Sequence, residues 1–356
     1  MVDRRAHSLL KVHTTIRRLF VVCGRGNIMP AIRYGIAGRP VDHSLSPLLM
    51  ALVCDHLGLN PNGKNLDMEL VDVGTMTDAL AWGYAGAIPS QVDWAYTSSV
   101  FGKFRTTALL KKAVEAARES VEPLSSFLSQ TPDEASPQIG HDSQGLPTRM
   151  FGEEIWLNLT APLKHQLDSS AVQSVDDAMS TKSVNALRWD GRGWWCGGFD
   201  GQGVVDVLHH HGCSPSEHVL GLHGGGGGAR STADAWSKLG GKITMLESRR
   251  TLEDGGWKAA LCDEVPDVVV DFDGLAEPHI EGMITVKASY SPVTGTVEER
   301  AAALSSGPLD GRWLLVAQHL VCWRKLWAPE RANELPSLGL LMTRLVVAET
   351  LLASYA

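Results

Sequence analysis

Residues 219–250 read VLGLHGGGGGARSTADAWSKLGGKITMLESRR, and their order of residue types decides the fold. Val219–Leu222 is a short apolar run of strand character. It ends in five consecutive glycines, Gly224 to Gly228. Ser231–Leu239 then has helical spacing, and Lys242–Leu246 reads as another strand. Strand, glycine turn, helix, strand is the opening of a doubly wound nucleotide-binding unit. Only glycine lets the chain turn tightly and approach a pyrophosphate, and the helix that follows offers free N–H groups and a positive dipole end. Gly224, Gly226 and Gly227 are the positions expected to matter. A flexible linker is the alternative for an isolated glycine run, but here the flanking strand and helix argue for cofactor binding.

Glu247 ends the second strand, 23 residues after Gly224, where an acid bonds the ribose 2′-OH of NAD. Arg249 and Arg250 follow, and either side chain suits the 2′-phosphate of NADP. The two signals point to different dinucleotides, and a solvated charge cluster is the plain alternative for all three.

Working outward, Val268–Phe272 and Ile284–Ala288 read as later strands of the same sheet. Gly201–His210 reads as a helix stopped by Gly212. Upstream, Ile32–Ala37 is a buried strand, Pro47–Leu57 a helix ended by Gly58, and residues 64–73 a second strand. Ile155–Leu159 is a strand, with a helix expected from about Ala161. Thr106–Leu128 has helical spacing, whereas Ser129–Thr148 is rich in Ser, Pro, Gln, Asp and Gly and reads as a loop. The tail, Trp313–Trp327 and Leu338–Leu352, is helical and apolar. No internal repeat is present.

The chain has 356 residues, 44% hydrophobic and 20% charged, with a formal net charge of −8. That length suits two α/β domains rather than one core. The acidic balance argues against a nucleic-acid partner. No apolar run is long enough to cross a bilayer. The six cysteines are scattered, without the paired spacing of a zinc site, and indicate reduced thiols in a cytoplasmic protein. No metal is expected. His209, His210 and His211 point about 100° apart on a helix and cannot share one ion, so they are expected to sit favourably at its negative end. His43 is read as stabilising a turn and the 11 tryptophans mostly as packing. Residues 1–30 are basic, with Arg4, Arg5, Lys11, Arg17 and Arg18 against Asp3. Their apolar core, Leu19 to Val22, is too short for a secretory signal. Met29 directly precedes the first strand, and a disordered extension is expected.

Seven segments, in order, resemble the shikimate dehydrogenase family. GIAGRPVDHSLSP at 35–47 resembles G-x-x-G-x-P-x-x-H-S-x-S-P. NLTAPLK at 158–164 is similar to N-V-T-x-P-x-K, VNAL at 184–187 to V-N-T-L, and DGQG at 200–203 to D-G-x-G. GGGGGAR at 224–230, YSPVT at 290–294 and LLVAQ at 314–318 resemble G-A-G-G-A-A-R, Y-x-P-x-x-T and M-L-x-x-Q, with Gly311 at the family's preceding glycine. Departures are Met50-Ala51 for His-Asn, Trp156 for a glycine, Gly198-Phe199 for Asn-Thr, Lys287 for an aspartate, and Glu247-Ser248-Arg249 for the Asn-Arg-Thr phosphate clamp. The segment 74–150 is much longer than its family counterpart.

The resemblance implies a two-domain α/β fold. An N-terminal substrate-binding domain would hold 31–199 plus 312–356, with 74–150 an enlarged insert. A Rossmann-like doubly wound dinucleotide-binding domain would hold 200–311. It implies reversible reduction of 3-dehydroshikimate to shikimate with NADPH, a step of chorismate and aromatic amino-acid biosynthesis, in a monomer or homodimer. Lys164 is the implied acid/base and Asp200 its partner. Ser44 and Ser46 would meet the substrate carboxylate, with Tyr290 as a third donor. Asn158, Thr160, Asn185 and Gln318 would meet the ring hydroxyls. Two other readings are an NAD-linked quinate/shikimate dehydrogenase, which Glu247 favours, and a non-catalytic ligand-binding relative, against which intact Lys164 and Asp200 speak.

Overall fold

The computed structural model describes residues 31–59, 66–84, 107–131, 135–139, 146, 153–276, 283–292 and 294–355. The extension expected over residues 1–30 lies outside them, as does most of the loop expected over 129–148.

The chain runs β1 (Ala31–Gly38), α1 (Ser46–His56), β2 (Leu66–Asp72), α2 (Met76–Tyr84), α3 (Thr107–Arg118), β3 (Glu153–Leu159), β4 (Val172–Ser174), β5 (Ala186–Trp189) and β6 (Trp194–Gly197). It continues with α4 (Asp200–His210), β7 (Val219–His223), α5 (Gly227–Lys238), β8 (Lys242–Met245), β9 (Leu261–Cys262), β10 (Val268–Asp271), β11 (Ile284–Lys287), α6 (Val297–Ser305), α7 (Arg312–Cys322) and α8 (Leu338–Ala353).

Two sheets result. The first has the order β2-β1-β3-β5-β6-β4. Its half around β1 is parallel, and β5 runs antiparallel to both β3 and β6. The second is wholly parallel with the order β11-β10-β7-β8-β9. There β7 is central and the chain winds outward to either side, the doubly wound arrangement expected from 219–250. The central strands are apolar along their length because parallel sheets are covered on both faces. Tyr34, Leu157, Leu220, Leu222 and Val270 are all fully buried.

Three elements differ from expectation. The helix after β7 starts at Gly227, not Ser231: Arg230 N–H donates to Gly226 O at 2.9 Å. The glycines are thus drawn into the first helical turn, despite their entropic cost. No long helix follows Ala161. The residue before Pro162 is restricted away from the helical region, and only a 3₁₀ turn, Leu163–His165, forms. Helix α3 stops at Arg118, five residues before Pro123, and Ser125–Phe127 is a separate 3₁₀ turn. The hairpin β5–β6 escaped the sequence reading, although Asp190-Gly191 is a recognised hairpin signal. The Asp190 carboxylate accepts from the N–H groups of Arg192 and Gly193 at 2.8 and 2.9 Å and closes that turn.

One stretch of the long insert is bound to α4, whereas α3 of the same insert packs on α8 and α1. Gln130 N–H and the Thr131 hydroxyl donate to the carbonyls of His210 and His209, at 2.9 and 2.8 Å. Ser136 Oγ donates to Asp206 at 2.7 Å, and Ile139 N–H to Gln202 Oε1 at 3.0 Å. The three histidines do sit at the end of α4. His210 and His211 pack on Trp313, at 5.3 and 4.7 Å between ring centroids. Burial lowers the pKa of His210 and pushes that of His211 down to about 4, so desolvation outweighs the attraction of the helix end. The tryptophans Trp156, Trp236, Trp313, Trp323 and Trp327 are core residues. Trp156, at the family's glycine position, stacks on Trp327 at 5.7 Å.

Candidate active site

Four backbone features bring the site together. Strand β3 ends at Asn158 and Leu159, and the Thr160–Pro162 turn hands the chain to the 3₁₀ turn bearing Lys164. Asn185 stands immediately before β5. Asp200 is the first residue of α4. Helix α7 presents Gln318 and Cys322 to the same region.

Lys164 Nζ lies 2.6 Å from Asp200 Oδ2. The other oxygen, Oδ1, accepts from Asn185 Nδ2 at 2.7 Å. Asn185 is itself fixed, because its Oδ1 accepts from Phe199 N–H at 2.9 Å. The lysine and aspartate side chains remain 26% and 12% exposed. That leaves the pair reachable while it is held on two sides.

From Asn185 the network continues inward. Asn158 Nδ2 donates to Asn185 O at 3.3 Å and reaches Cys322 Sγ at 3.8 Å. Gln318 Nε2 reaches the same sulfur at 3.6 Å. Burial pushes the Cys322 thiol well up, so it stays a thiol. Tyr34 Oη donates to Asn158 Oδ1 at 2.5 Å and is also hydrogen-bonded to the Ser46 side chain. Ser46, Asn158, Asn185, Gln318, Lys164 and Asp200 therefore belong to one connected cluster. Ser46 and Asn158 are each 2% exposed, while Ser44, Thr160 and Gln318 are half-buried. Ser44 Oγ accepts from Ser46 N–H at 3.2 Å, so the two serines form one turn with Ser44 outermost. Tyr290 joins that turn from another element, its hydroxyl 3.5 Å from His43 O. Burial pushes the Tyr290 pKa up to about 12, which keeps the hydroxyl a donor. Tyr34 and Cys322 were missed in the sequence. Both are apolar-looking core positions whose polar atoms matter only through long-range contacts.

The glycine turn fits a dinucleotide. Gly224 has φ +131°, a conformation that side chains resist. A Cβ on Gly225 would lie 2.4 Å from the carbonyl oxygens of both Arg250 and Thr251. Gly225 was not singled out from sequence, and it is the tightest of the five. Gly226, the N-cap of α5, has nothing within 4 Å of its Cβ position and no side-chain cap. The first N–H groups of α5 have no intrahelical acceptor, and a helix start of this kind can take a phosphate. Arg230 ties this turn to the segment before β5. It donates to Thr181 O and Lys182 O at 2.8 Å and to Gly225 O at 3.1 Å. A Cβ on Gly227 would lie 3.3 Å from Lys164 Cβ, so the turn and the Lys164–Asp200 pair adjoin.

Glu247, Arg249 and Arg250 are exposed beyond β8. Their backbone is fixed: Glu247 O accepts from His223 Nδ1 at 2.7 Å, and Arg249 N–H donates to Asp273 at 2.7 Å.

No family model matches the chain. It is 31% identical over 209 residues to the shikimate dehydrogenase (NADP(+)) of Aeropyrum pernix, spanning 51% of this chain and 76% of that protein. It is 23% identical over 316 residues to the enzyme of the same name from Methylibium petroleiphilum, covering 87% and 85% of the two chains. The crystal structure of Mycobacterium tuberculosis shikimate dehydrogenase superposes with a TM-score of 0.51 at 16% identity, over 88% of this chain and 98% of that one.

Proposed function

The chain belongs to the shikimate dehydrogenase family, and on that premise we propose that it reduces 3-dehydroshikimate reversibly to shikimate. It is an oxidoreductase acting on a CH–OH group, and its dinucleotide is NADP, which the name of the Aeropyrum pernix relative carries. The observation that carries the reading is the 2.6 Å contact of Lys164 with Asp200, directly against the first turn of α5.

The nicotinamide ring, when bound, supplies or accepts the hydride. The residues of the chain handle the proton and the position. Lys164, as an ammonium, donates a proton from Nζ to the ketone oxygen as it becomes an alkoxide, and takes it back in the oxidation direction. Its partial exposure lets solvent restore that proton. Asp200 pairs with Lys164 Nζ and holds it in place. Each carboxylate oxygen has a second lone pair, so Asp200 also accepts from a substrate hydroxyl while bonded to Lys164 and Asn185. Ser44 and Tyr290 donate to the substrate carboxylate, with Ser46 completing the turn. Thr160 and Gln318 meet ring hydroxyls. Asn158 and Asn185 act from a more buried level. Gly224, Gly226 and Gly227 shape the pyrophosphate cradle, and Arg249 and Arg250 hold the 2′-phosphate.

The domain divide in this reading falls before Asp200 and again before Arg312, so 31–199 with 312–356 bind substrate and 200–311 bind the dinucleotide. The net charge of −8 favours a small-molecule partner over nucleic acid, and a site drawn from one chain suits a monomer or a homodimer. Among the described residues no helix is long and apolar enough to cross a membrane, and Cys54, Cys196, Cys213, Cys262 and Cys322 are free thiols, which supports a reducing, cytoplasmic setting. The test is absorbance at the nicotinamide band with shikimate or quinate and each dinucleotide. Turnover of shikimate with NADP is the expected result. Turnover of quinate with NAD alone would favour the quinate-type reading that Glu247 suggests, and no turnover would favour a binding protein.

A further inference from the structure

A buried ion cluster lies beneath Tyr290 that the proton chemistry does not use. Arg312, the first residue of α7, is 1% exposed. Its Nε and Nη2 donate to the two carboxylate oxygens of Glu349 on α8, at 2.9 and 3.1 Å. Its Nη1 donates to Asp310 at 2.9 Å and to the carbonyl of Ser291 at 3.0 Å. The guanidinium carbon lies 5.4 Å from the centroid of the Tyr290 ring. One planar group thus grips two acids, the residue after Tyr290 and the face of Tyr290 itself. Gly311 adds a second tether, its N–H donating to Ser289 O at 2.9 Å. A side chain there would lie 2.6 and 2.7 Å from the carbonyls of Ala288 and Ser289. The loop 288–291 is therefore fixed on both sides of Tyr290. The tyrosine hydroxyl is aimed at the His43–Ser46 turn.

Resting on the reading of Tyr290 as a donor to the substrate carboxylate, we infer that Arg312 is a positioning residue for substrate affinity. It touches no substrate. It holds the Tyr290 ring and the carbonyl of Ser291 in one orientation, so that the hydroxyl meets the carboxylate without first being ordered. A lysine keeps the charge but not the fork, and satisfies fewer of these partners at once.

The test uses steady-state kinetics of the full chain with shikimate and NADP, in wild type, Arg312→Lys, Glu349→Gln, Tyr290→Phe and the Tyr290→Phe/Arg312→Lys double variant. Arg312→Lys is expected to raise KM for shikimate roughly tenfold, as for a lost hydrogen bond to a charged group, with kcat and KM for NADP little changed. Glu349→Gln raises it in the same direction. In the double variant KM equals that of Tyr290→Phe alone, because Arg312 acts through the tyrosine. Should Arg312→Lys fail to fold, Glu349→Gln, which keeps one acceptor for the guanidinium, carries the same test alone and combined with Tyr290→Phe. Unchanged KM in Arg312→Lys and Glu349→Gln, or effects that multiply in the double variant, overturn the inference while leaving the carboxylate site intact. An unchanged KM in Tyr290→Phe overturns the carboxylate assignment and the inference together.

Discussion

Gly227 and Lys164 are packed backbone to side chain: a methyl group on the glycine would stand 3.3 Å from Cβ and 3.6 Å from Cδ of the lysine. The glycine turn therefore bears on the stem of Lys164. Gly227→Ala should displace Lys164 by a few tenths of an ångström and lower kcat, leaving KM for shikimate nearly unchanged. Gly225→Ala meets two backbone carbonyls at 2.4 Å, which cannot swing aside, and should raise KM for NADP far more than it affects kcat. Kinetics that respond equally to both substitutions would show that the two glycines do not have separate duties.

Lys164→Ala should lower turnover by roughly 10²–10⁴-fold, the usual worth of a positioned acid/base, while shikimate still binds in a calorimetric titration. Asp200→Asn should do nearly the same, and the double variant should cost little more than either alone, because the two act as a unit. A variant of Lys164 that kept most of its turnover would remove it from the proton transfer.

Ser44 is the outer member of its turn and Ser46 the buried one. Ser44→Ala should raise KM for shikimate with little change in kcat, by the equivalent of about 1.5–3 kcal/mol for a hydrogen bond to a charged group. Ser46→Ala should raise KM too, and also lower thermal stability, since it strips the Tyr34 hydroxyl of a partner. Unchanged affinity in both would take this turn out of the carboxylate site.

Glu247 is exposed beside Arg249 and Arg250. An acid repels a 2′-phosphate and bonds a free 2′-OH. The wild type should prefer NADP, and Glu247→Ala should prefer it more, judged by the ratio of kcat/KM values. A wild type that prefers NAD and loses that preference in the variant would make Glu247 the ribose ligand.

The His319 ring is fully buried and, among the described residues, neither of its nitrogens is hydrogen-bonded, and burial pushes its pKa down to about 3. His211 is held down to about 4. In the unfolded chain both return to about 6.5, so the unfolded state binds more protons between those limits. Their neutral forms favour the fold fully above about pH 6.5, and that advantage is lost progressively as pH falls toward 3–4, by up to about 1.4 kcal/mol per pH unit for each ring. His319→Phe should raise Tm at neutral pH and make its decline between pH 7 and 5 shallower, as read by calorimetry. An unchanged decline would mean that this ring does not titrate with unfolding.

The glycine turn, the strands beside it, Lys164 and Asp200 were legible because each rests on a local pattern, an apolar run or a short motif. What escaped depends on contacts between distant segments. Tyr34 meets Asn158 across 124 positions and Arg312 meets Glu349 across 37, and no spacing rule announces either pair. The helix expected after Ala161 failed because a proline outweighed apolar spacing. The place of His210 and His211 at the end of α4 was legible because helix position is local, whereas their burial against Trp313 is tertiary and escaped.

Residues 129–131 and 135–139 hydrogen-bond along α4, from the carbonyls of His209 and His210 to the side chain of Gln202. That helix packs on α5 of one sheet and α7 beside the other. The amide protons of Gln130 and Ile139 can reach solvent only when this helix releases them. Their hydrogen exchange should therefore be slow, at the pace of a cooperative opening of α4 rather than of a surface loop. A protease is then expected to find 129–131 and 135–139 poor targets in the native protein, despite their loop-like composition.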